Sequence, residues 1–350
     1  MPDGNPSSLN AHQTTNLAPA GLASFLAPLQ HHLARSEVIE LCINRPQELF
    51  IESYAGWTRE HIDALTFGHL SSFATTVATY TRQSISPTKP ILSGSLPGGE
   101  RIQIVIPPAV PEGTISITIR KPSDRAFTLE DYETSGMFAD ILPETGALSA
   151  TDQKLLDLHA KTSWKAFLQS AVATRKNILV SGATGSGKTT FAKALIREIP
   201  ASERILTIED TLELVIPQPN HVRLIYSKDG QGQAKLSARQ LLESALRMRP
   251  DRILLQELRD AAAFYYLRNV NTGHSGSITT IHADSALLAF EQLALLVKES
   301  EAGRDLKRSE IKEMLVQMVD VVVQVKRSDG QFRITEIYFD PHRKLSGGTT

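Results

Sequence analysis

The chain has 350 residues, enough for two domains of ordinary size, with 41% apolar and 21% charged residues, as in a globular protein. Its 37 Lys and Arg nearly balance 38 Asp and Glu, so no global basic field points to direct nucleic-acid binding. A single cysteine, Cys42, excludes a disulfide framework and a multi-cysteine zinc site and fits a reducing, cytoplasmic setting.

The N-terminus carries no positive signal-peptide region, and no apolar run approaches ~18 residues. Neither cleaved export nor a membrane span is therefore expected, while peripheral membrane attachment is left open. Residues 1–20, rich in Pro, Ser, Asn, Thr and Ala without periodicity, read as a disordered tail. A short helix begins near Gly21, with Leu22, Phe25 and Leu29 on one face. Val38–Ile43 and Glu48–Ile51 are strand-like runs around Asn44-Arg45-Pro46-Gln47, a hairpin. From Arg59 to Tyr80 the stripe Ile62, Leu65, Leu70, Phe73, Val77 and Tyr80 predicts a helix, weakened by Gly68. Two alternating strands follow: Ile102, Ile104 and Ile106 oppose Arg101 and Gln103, and Ile115, Ile117 and Ile119 oppose Thr118 and Arg120. Residues 21–121 thus predict a small α+β domain on an antiparallel sheet, with Arg101 and Arg120 on its polar, solvated side.

Residues 122–151 read as a linker with one helical turn, and Leu155 to Val172 as a helix leading into the second domain, residues 152–345. There Asn177–Ser181 is a buried strand, Gly182-Ala183-Thr184-Gly185-Ser186-Gly187-Lys188-Thr189 fits G-x-x-x-x-G-K-[ST], and Phe191 to Ile196 is a helix stopped by Pro200. Strand, Gly-rich loop and helix together predict a nucleoside triphosphate site. The loop N–H groups and the helix N-terminus cradle phosphate, with Thr190 just behind. Lys188 reaches the β/γ-phosphates and the Thr189 hydroxyl holds Mg²⁺. Ile205–Ile208 is a strand ending in Glu209-Asp210, and Val215 to Tyr226 is strand-rich but broken by Pro217 and Pro219. After a turn at Asp229-Gly230-Gln231-Gly232, Ser237 and Gln240 form a capping box. Ile253–Leu255 is a strand ending in Gln256-Glu257, a helix runs from Asp260 to Asn269, and Ser277–Ile281 is a strand ending at His282. Ser285 and Ser309 cap two more helices, and Val321–Val325 and Phe332–Tyr338 flank Asp329-Gly330 as a hairpin. Alternating strands and helices around the P-loop predict a doubly wound α/β ATPase core.

Open α/β sheets hold ligands beyond the carboxyl ends of their strands. If neighbours in the sheet, the strands ending at the P-loop, Glu209-Asp210, Glu257 and His282 converge on one site. Glu209 and Glu257 can divide two tasks, holding Mg²⁺ and orienting the attacking water, and the sequence does not say which does which. Glu213 is a candidate third acid. A histidine at such a strand end can hydrogen-bond the γ-phosphate, although a lone histidine is more often a structural residue.

With these stretches in hand, the chain resembles the hexameric traffic ATPases of bacterial type IV secretion. These share a superfamily with type II secretion and type IV pilus motors. The resemblance rests on Gly182–Thr190, on Thr207-Ile208-Glu209-Asp210-Thr211-Leu212-Glu213, on Leu246–Arg259, and on Gly273–Ala283. It extends into the first domain at Gly99-Glu100-Arg101-Ile102-Gln103 and Ile117–Lys121. It implies a RecA-like core, ATP bound between the two domains, and a homo-hexamer docked on other type IV secretion subunits at the cytoplasmic face of the inner membrane. On that pattern Lys188 and Thr189 bind phosphate and Mg²⁺, Glu209 and Glu257 supply catalytic and metal-site carboxylates, His282 senses the γ-phosphate, and Arg101 and Arg120 reach the nucleotide. Gln256, Ser275 and Asp260 depart from the family pattern without removing a charge the mechanism needs, and the lack of paired CxxC motifs argues against the type II branch. A pilus motor and a RecA-like nucleic-acid translocase are the competing readings.

Overall fold

Period-two alternation in the first third of the chain produces a six-stranded antiparallel sheet. Its strands are β1 (Val38–Ile43), β2 (Glu48–Ser53), β3 (Gly56–His61), β4 (Ile91–Ser95), β5 (Arg101–Val105) and β6 (Ser116–Arg120), in the order β3-β2-β1-β6-β5-β4. The computed structural model describes residues 20–123, 127–139, 141, 147–227, 232–259, 262–271 and 273–346. The expected N-terminal tail up to residue 19, Asp229-Gly230-Gln231 and Asp260 lie outside them.

Leu41, Ile43, Ile51, Ile102, Ile104, Ile117 and Ile119 pack one face of this sheet against α1 (Ala20–Ala34) and α2 (Phe67–Tyr80). The helix expected from Arg59 starts only at Phe67, where the Thr66 hydroxyl accepts from His69 N–H; the preceding segment is the edge strand β3. The other face was expected to be solvated. It is instead largely buried, with Glu40, Cys42, Gln103 and Thr118 at 2% exposure or less. Burial pushes the Cys42 thiol up to about 12.

What covers that polar face is the second domain. Gln103 Nε2 donates to Ser244 Oγ (2.9 Å), and Arg249 makes a bidentate pair with Glu52. Arg204, fully buried, donates to Asn44 Oδ1 (2.7 Å), to Asn220 Oδ1 and to the Met248 carbonyl (2.9 Å). The Trp57 ring lies under the guanidiniums of Arg204 and Arg249, at 6.0 and 5.8 Å.

After α3 (Leu129–Thr134), the single helix expected over 155–172 is two, α4 (Ala150–Ala160) and α5 (Trp164–Ala173), broken where Thr162 takes φ 54°. The second domain then alternates: β7 (Ile178–Ser181), α6 (Lys188–Arg197), β8 (Ile205–Glu209), β9 (His221–Ile225), α7 (Ala238–Ala245), β10 (Arg252–Leu255), α8 (Ala262–Asn271), β11 (Ile278–Ile281) and α9 (Ala286–Glu299). The chain closes with α10 (Arg308–Met318), β12 (Val321–Ser328), β13 (Gln331–Phe339) and α11 (Pro341–Leu345). Ser309 therefore lies inside the first turn of α10 rather than capping it.

Parallel strands β10-β8-β9 form one ladder and β11-β7-β12-β13 another, with only β13 antiparallel. A parallel bridge between Glu257 and Thr280 joins them into the run β9-β8-β10-β11-β7-β12-β13. Both faces are apolar because helices cover both, which is the α/β architecture the alternation predicts.

Candidate nucleotide site

Strand register assembles the site. Ile281 pairs with Ser181, so His282 and the P-loop leave adjacent strands at the same level, and the Glu257–Thr280 bridge brings the end of β10 beside them. Gly185 and Gly187 take φ 72° and 90°, a left-handed region that favours glycine. A Cβ on Gly182 would collide with the Val325 carbonyl oxygen and Ser186 Oγ. Ala183, Thr184 and Gly185 form the exposed lip of the loop, Ser186 is buried below it, and Lys188, Thr189 and Thr190 open α6.

Lys188 Nζ donates to the Ala183 carbonyl (2.8 Å) and lies 3.3 Å from His282 Nδ1. The other ring nitrogen, Nε2, lies 2.7 Å from Glu257 Oε1. With Nδ1 accepting from the ammonium, the neutral imidazole carries its proton on Nε2, facing the carboxylate. Arg259 pairs with Glu257 Oε2 and reaches Asp210 Oδ2 at 3.4 Å. Desolvation lowers the Lys188 pKa, against the opposing pull of Glu257. A cation, an imidazole and a carboxylate thus stand in series over a loop shaped for phosphate.

Glu209 is placed differently from the expectation that it shares metal and catalytic work with Glu257. Its carboxylate is 0% exposed. Oε1 accepts from Thr207 Oγ1 (2.6 Å) and Arg223 Nε (2.9 Å), and Oε2 from Arg223 Nη2 (2.7 Å) and the N–H groups of Glu213 (3.0 Å) and Leu214 (2.9 Å). With its lone pairs occupied, Glu209 holds the acidic loop that carries Asp210. Glu213 contributes a backbone N–H to that arrangement. Arg223 and Arg259 were not singled out from the sequence. The register of β8 on β9 sets Thr207 opposite Arg223, and a basic residue two positions after Glu257 was the available signal for Arg259.

Mg²⁺ fits the donors present. Thr189 supplies a hydroxyl at the helix start and Glu257 a carboxylate, and both are hard oxygen ligands. Ser186 Oγ, beneath the loop, is buried without a hydrogen-bond partner.

Arg101 and Arg120 are not brought to this site within one chain. They are cross-strand partners on β5 and β6 and line a cleft of about 640 Å³ with Arg247, Pro250 and His274. His274 precedes β11 and His282 follows it, so the cleft opens toward the amino ends of the parallel strands and the P-loop toward their carboxyl ends. The four residues of β11 alone separate the two by roughly 13 Å.

A P-loop at the carboxyl end of a parallel sheet, with a strand-end glutamate and histidine beside its lysine, defines a P-loop nucleotide hydrolase of the α/β class. A profile of the family described as Type II/IV secretion system protein matches residues 26–331. The type IV secretion system protein VirB11 of Bartonella henselae is 52% identical over 352 residues, covering 97% of this chain and 99% of its own. That of Brucella suis is 45% identical over 325 residues, covering 91% and 90%. A crystal structure of the VirB11 ATPase from the Brucella suis type IV secretion system, in complex with sulphate, superposes with a TM-score of 0.88 at 44% identity, covering 93% of this chain and 100% of that one. The chain belongs to the type II/IV secretion system family, and it is an ATPase of the type IV secretion branch.

Proposed function

We propose that this protein is an ATP-driven motor that works as a homo-hexameric ring at the cytoplasmic face of the inner membrane, docked on other type IV secretion subunits. Membrane attachment is peripheral on this reading: no helix among the described residues is long and apolar enough to cross a bilayer. Thr189 and Glu257 would hold Mg²⁺, which would supply positive charge against the phosphates, while Lys188 and the P-loop N–H groups would neutralise the triphosphate and Glu257 would orient the attacking water. His282 spans Lys188 and Glu257, so loss of the γ-phosphate alters both of its contacts.

One observation carries the ring. Arg101 and Arg120 lie at the opposite end of the sheet from their own Lys188, on the margin of a cleft that a neighbouring copy can close. The two guanidiniums are directly opposite in register and exposed, and Glu40, paired with Arg120 across β1, is buried beneath them, so their open side attracts a further anion. A neighbour's nucleotide is such an anion.

The test is ATP turnover per subunit against protein concentration, with Lys188→Ala as the blank and sizing at each dose. Turnover that climbs with assembly supports sites completed between copies. Full turnover by a sized monomer would sink the ring.

A further inference from the structure

The last two strands do more than end the sheet. In the β12–β13 hairpin the register shifts between Gln324 and Val325, so that Thr335 is the extra residue on β13. That bulge keeps Phe339, Ile337, Ile334 and Phe332 on one face, opposite Val321, Val323, Val325 and Arg327. The inner part of this stripe is core: Val321, Val323, Val325 and Phe339 are buried with α5 and α6. The outer part overhangs the core. Ile334 is 42% exposed and Phe332 61% exposed, among polar exposed neighbours on β13.

The overhang is not in open solvent. A Cβ built on Gly187 falls 3.0 Å from Phe332 Cδ1 and 3.3 Å from Cε1, so the ring rests on the glycine just before Lys188. The cross-strand partner Arg327 holds its guanidinium 5.5 Å from the ring centroid. A largely exposed aromatic ring, seated on the phosphate loop and flanked by a flexible arginine, offers a flat surface within one nucleotide's reach of the phosphates.

We propose that Phe332 and Arg327 form the seat of the nucleotide's base: the base stacks on the ring, and the displaced guanidinium covers or flanks it. This rests on the reading of the P-loop as a nucleoside triphosphate site. Stacking recognises a π-face and not a hydrogen-bonding edge, so the seat accepts purines without distinguishing adenine from guanine. Base binding also couples the P-loop to the β12–β13 hairpin, because the Gly187 contact requires that glycine.

The test uses the full chain and equilibrium binding of Mg·ATP, Mg·GTP and inorganic tripolyphosphate. Phe332→Ala is expected to weaken ATP and GTP alike by about 5- to 100-fold and to leave tripolyphosphate within about twofold. Phe332→Tyr, which keeps the ring, restores nucleotide affinity. Equal losses for nucleotide and tripolyphosphate would overturn the proposal, since the ring would then only brace the loop. A change in oligomer size with ATP affinity intact would overturn it too, because a second copy would be what covers the ring. If the wild type bound neither nucleotide nor tripolyphosphate, the P-loop reading itself would fall. Tripolyphosphate binding that Lys188→Ala abolishes keeps that reading standing whatever Phe332 does.

Discussion

Lys188 and His282 stand 3.3 Å apart, with the ammonium donating to the Nδ1 side of the imidazole. Because Nε2 faces Glu257, the histidine links the phosphate-binding cation to the strand-end carboxylate. His282→Ala is expected to lower kcat by about 10²-fold while ATP affinity changes only a few-fold, since the P-loop stays intact. Single-turnover kinetics beside equilibrium binding separates the two. A loss confined to affinity would make His282 a structural residue.

Glu209 and Glu257 make opposite predictions. Glu257→Gln should abolish turnover by about 10²-fold or more without a large change in melting temperature. Glu209→Ala should destabilise the fold by about 3–5 kcal/mol, because it leaves Arg223 without its charged partner and two loop N–H groups without an acceptor. Chemical denaturation of both variants checks the contrast, and equal stability losses would contradict it.

Glu40 sits 1% exposed beneath Arg120 on the domain-facing side of the sheet, and burial raises its pKa to about 7 from an ordinary 4.5. A raised carboxyl pKa means that the fold prefers the neutral acid. The stabilising effect of the proton is complete below pH 4.5 and is lost as pH rises through 7. Glu40→Gln should therefore stabilise the protein above pH 7, by at most roughly 3 kcal/mol, with the difference vanishing toward pH 4.5. Denaturant midpoints at pH 5 and pH 8 give the comparison.

Arg204 ties the two domains through Asn44 and Asn220. Arg204→Ala strands the Asn44 amide oxygen, leaves Asn220 Oδ1 with Asn44 Nδ2 as its donor, and opens space beneath Trp57, which should cost about 2–4 kcal/mol. Thermal unfolding is expected to separate into two transitions as the domains uncouple. A single sharp transition at the wild-type temperature would show that docking rests on other contacts.

Much of this site is written in local pattern. Gly182 to Thr189 and the acids and histidine at strand ends are legible because a parallel sheet brings its carboxyl ends together, and Asp329-Gly330 marks its hairpin with φ 54° and 78°. The features without a local signature depend on tertiary pairing. Strand β3 has Trp57, Thr58, Arg59 and Glu60 at the edge of its sheet, so it lacks the apolar alternation that identifies a strand. The saturation of Glu209 by Arg223 depends on which strand lies beside β8, which no window along the chain reveals. The burial of the polar sheet face likewise follows from domain docking: Gln103 and Glu52 look like solvated positions until Ser244 and Arg249 arrive.

Cys42 is wholly enclosed, and its thiol is held as the unreactive protonated form at neutral pH. The native chain is therefore already a silent background for thiol-directed labels. A spin or fluorescent tag placed through Arg120→Cys in one preparation, and through Thr184→Cys at the lip of the P-loop in another, would report alone. Mixing the two preparations turns the arrangement of copies in solution into a distance that spectroscopy can read.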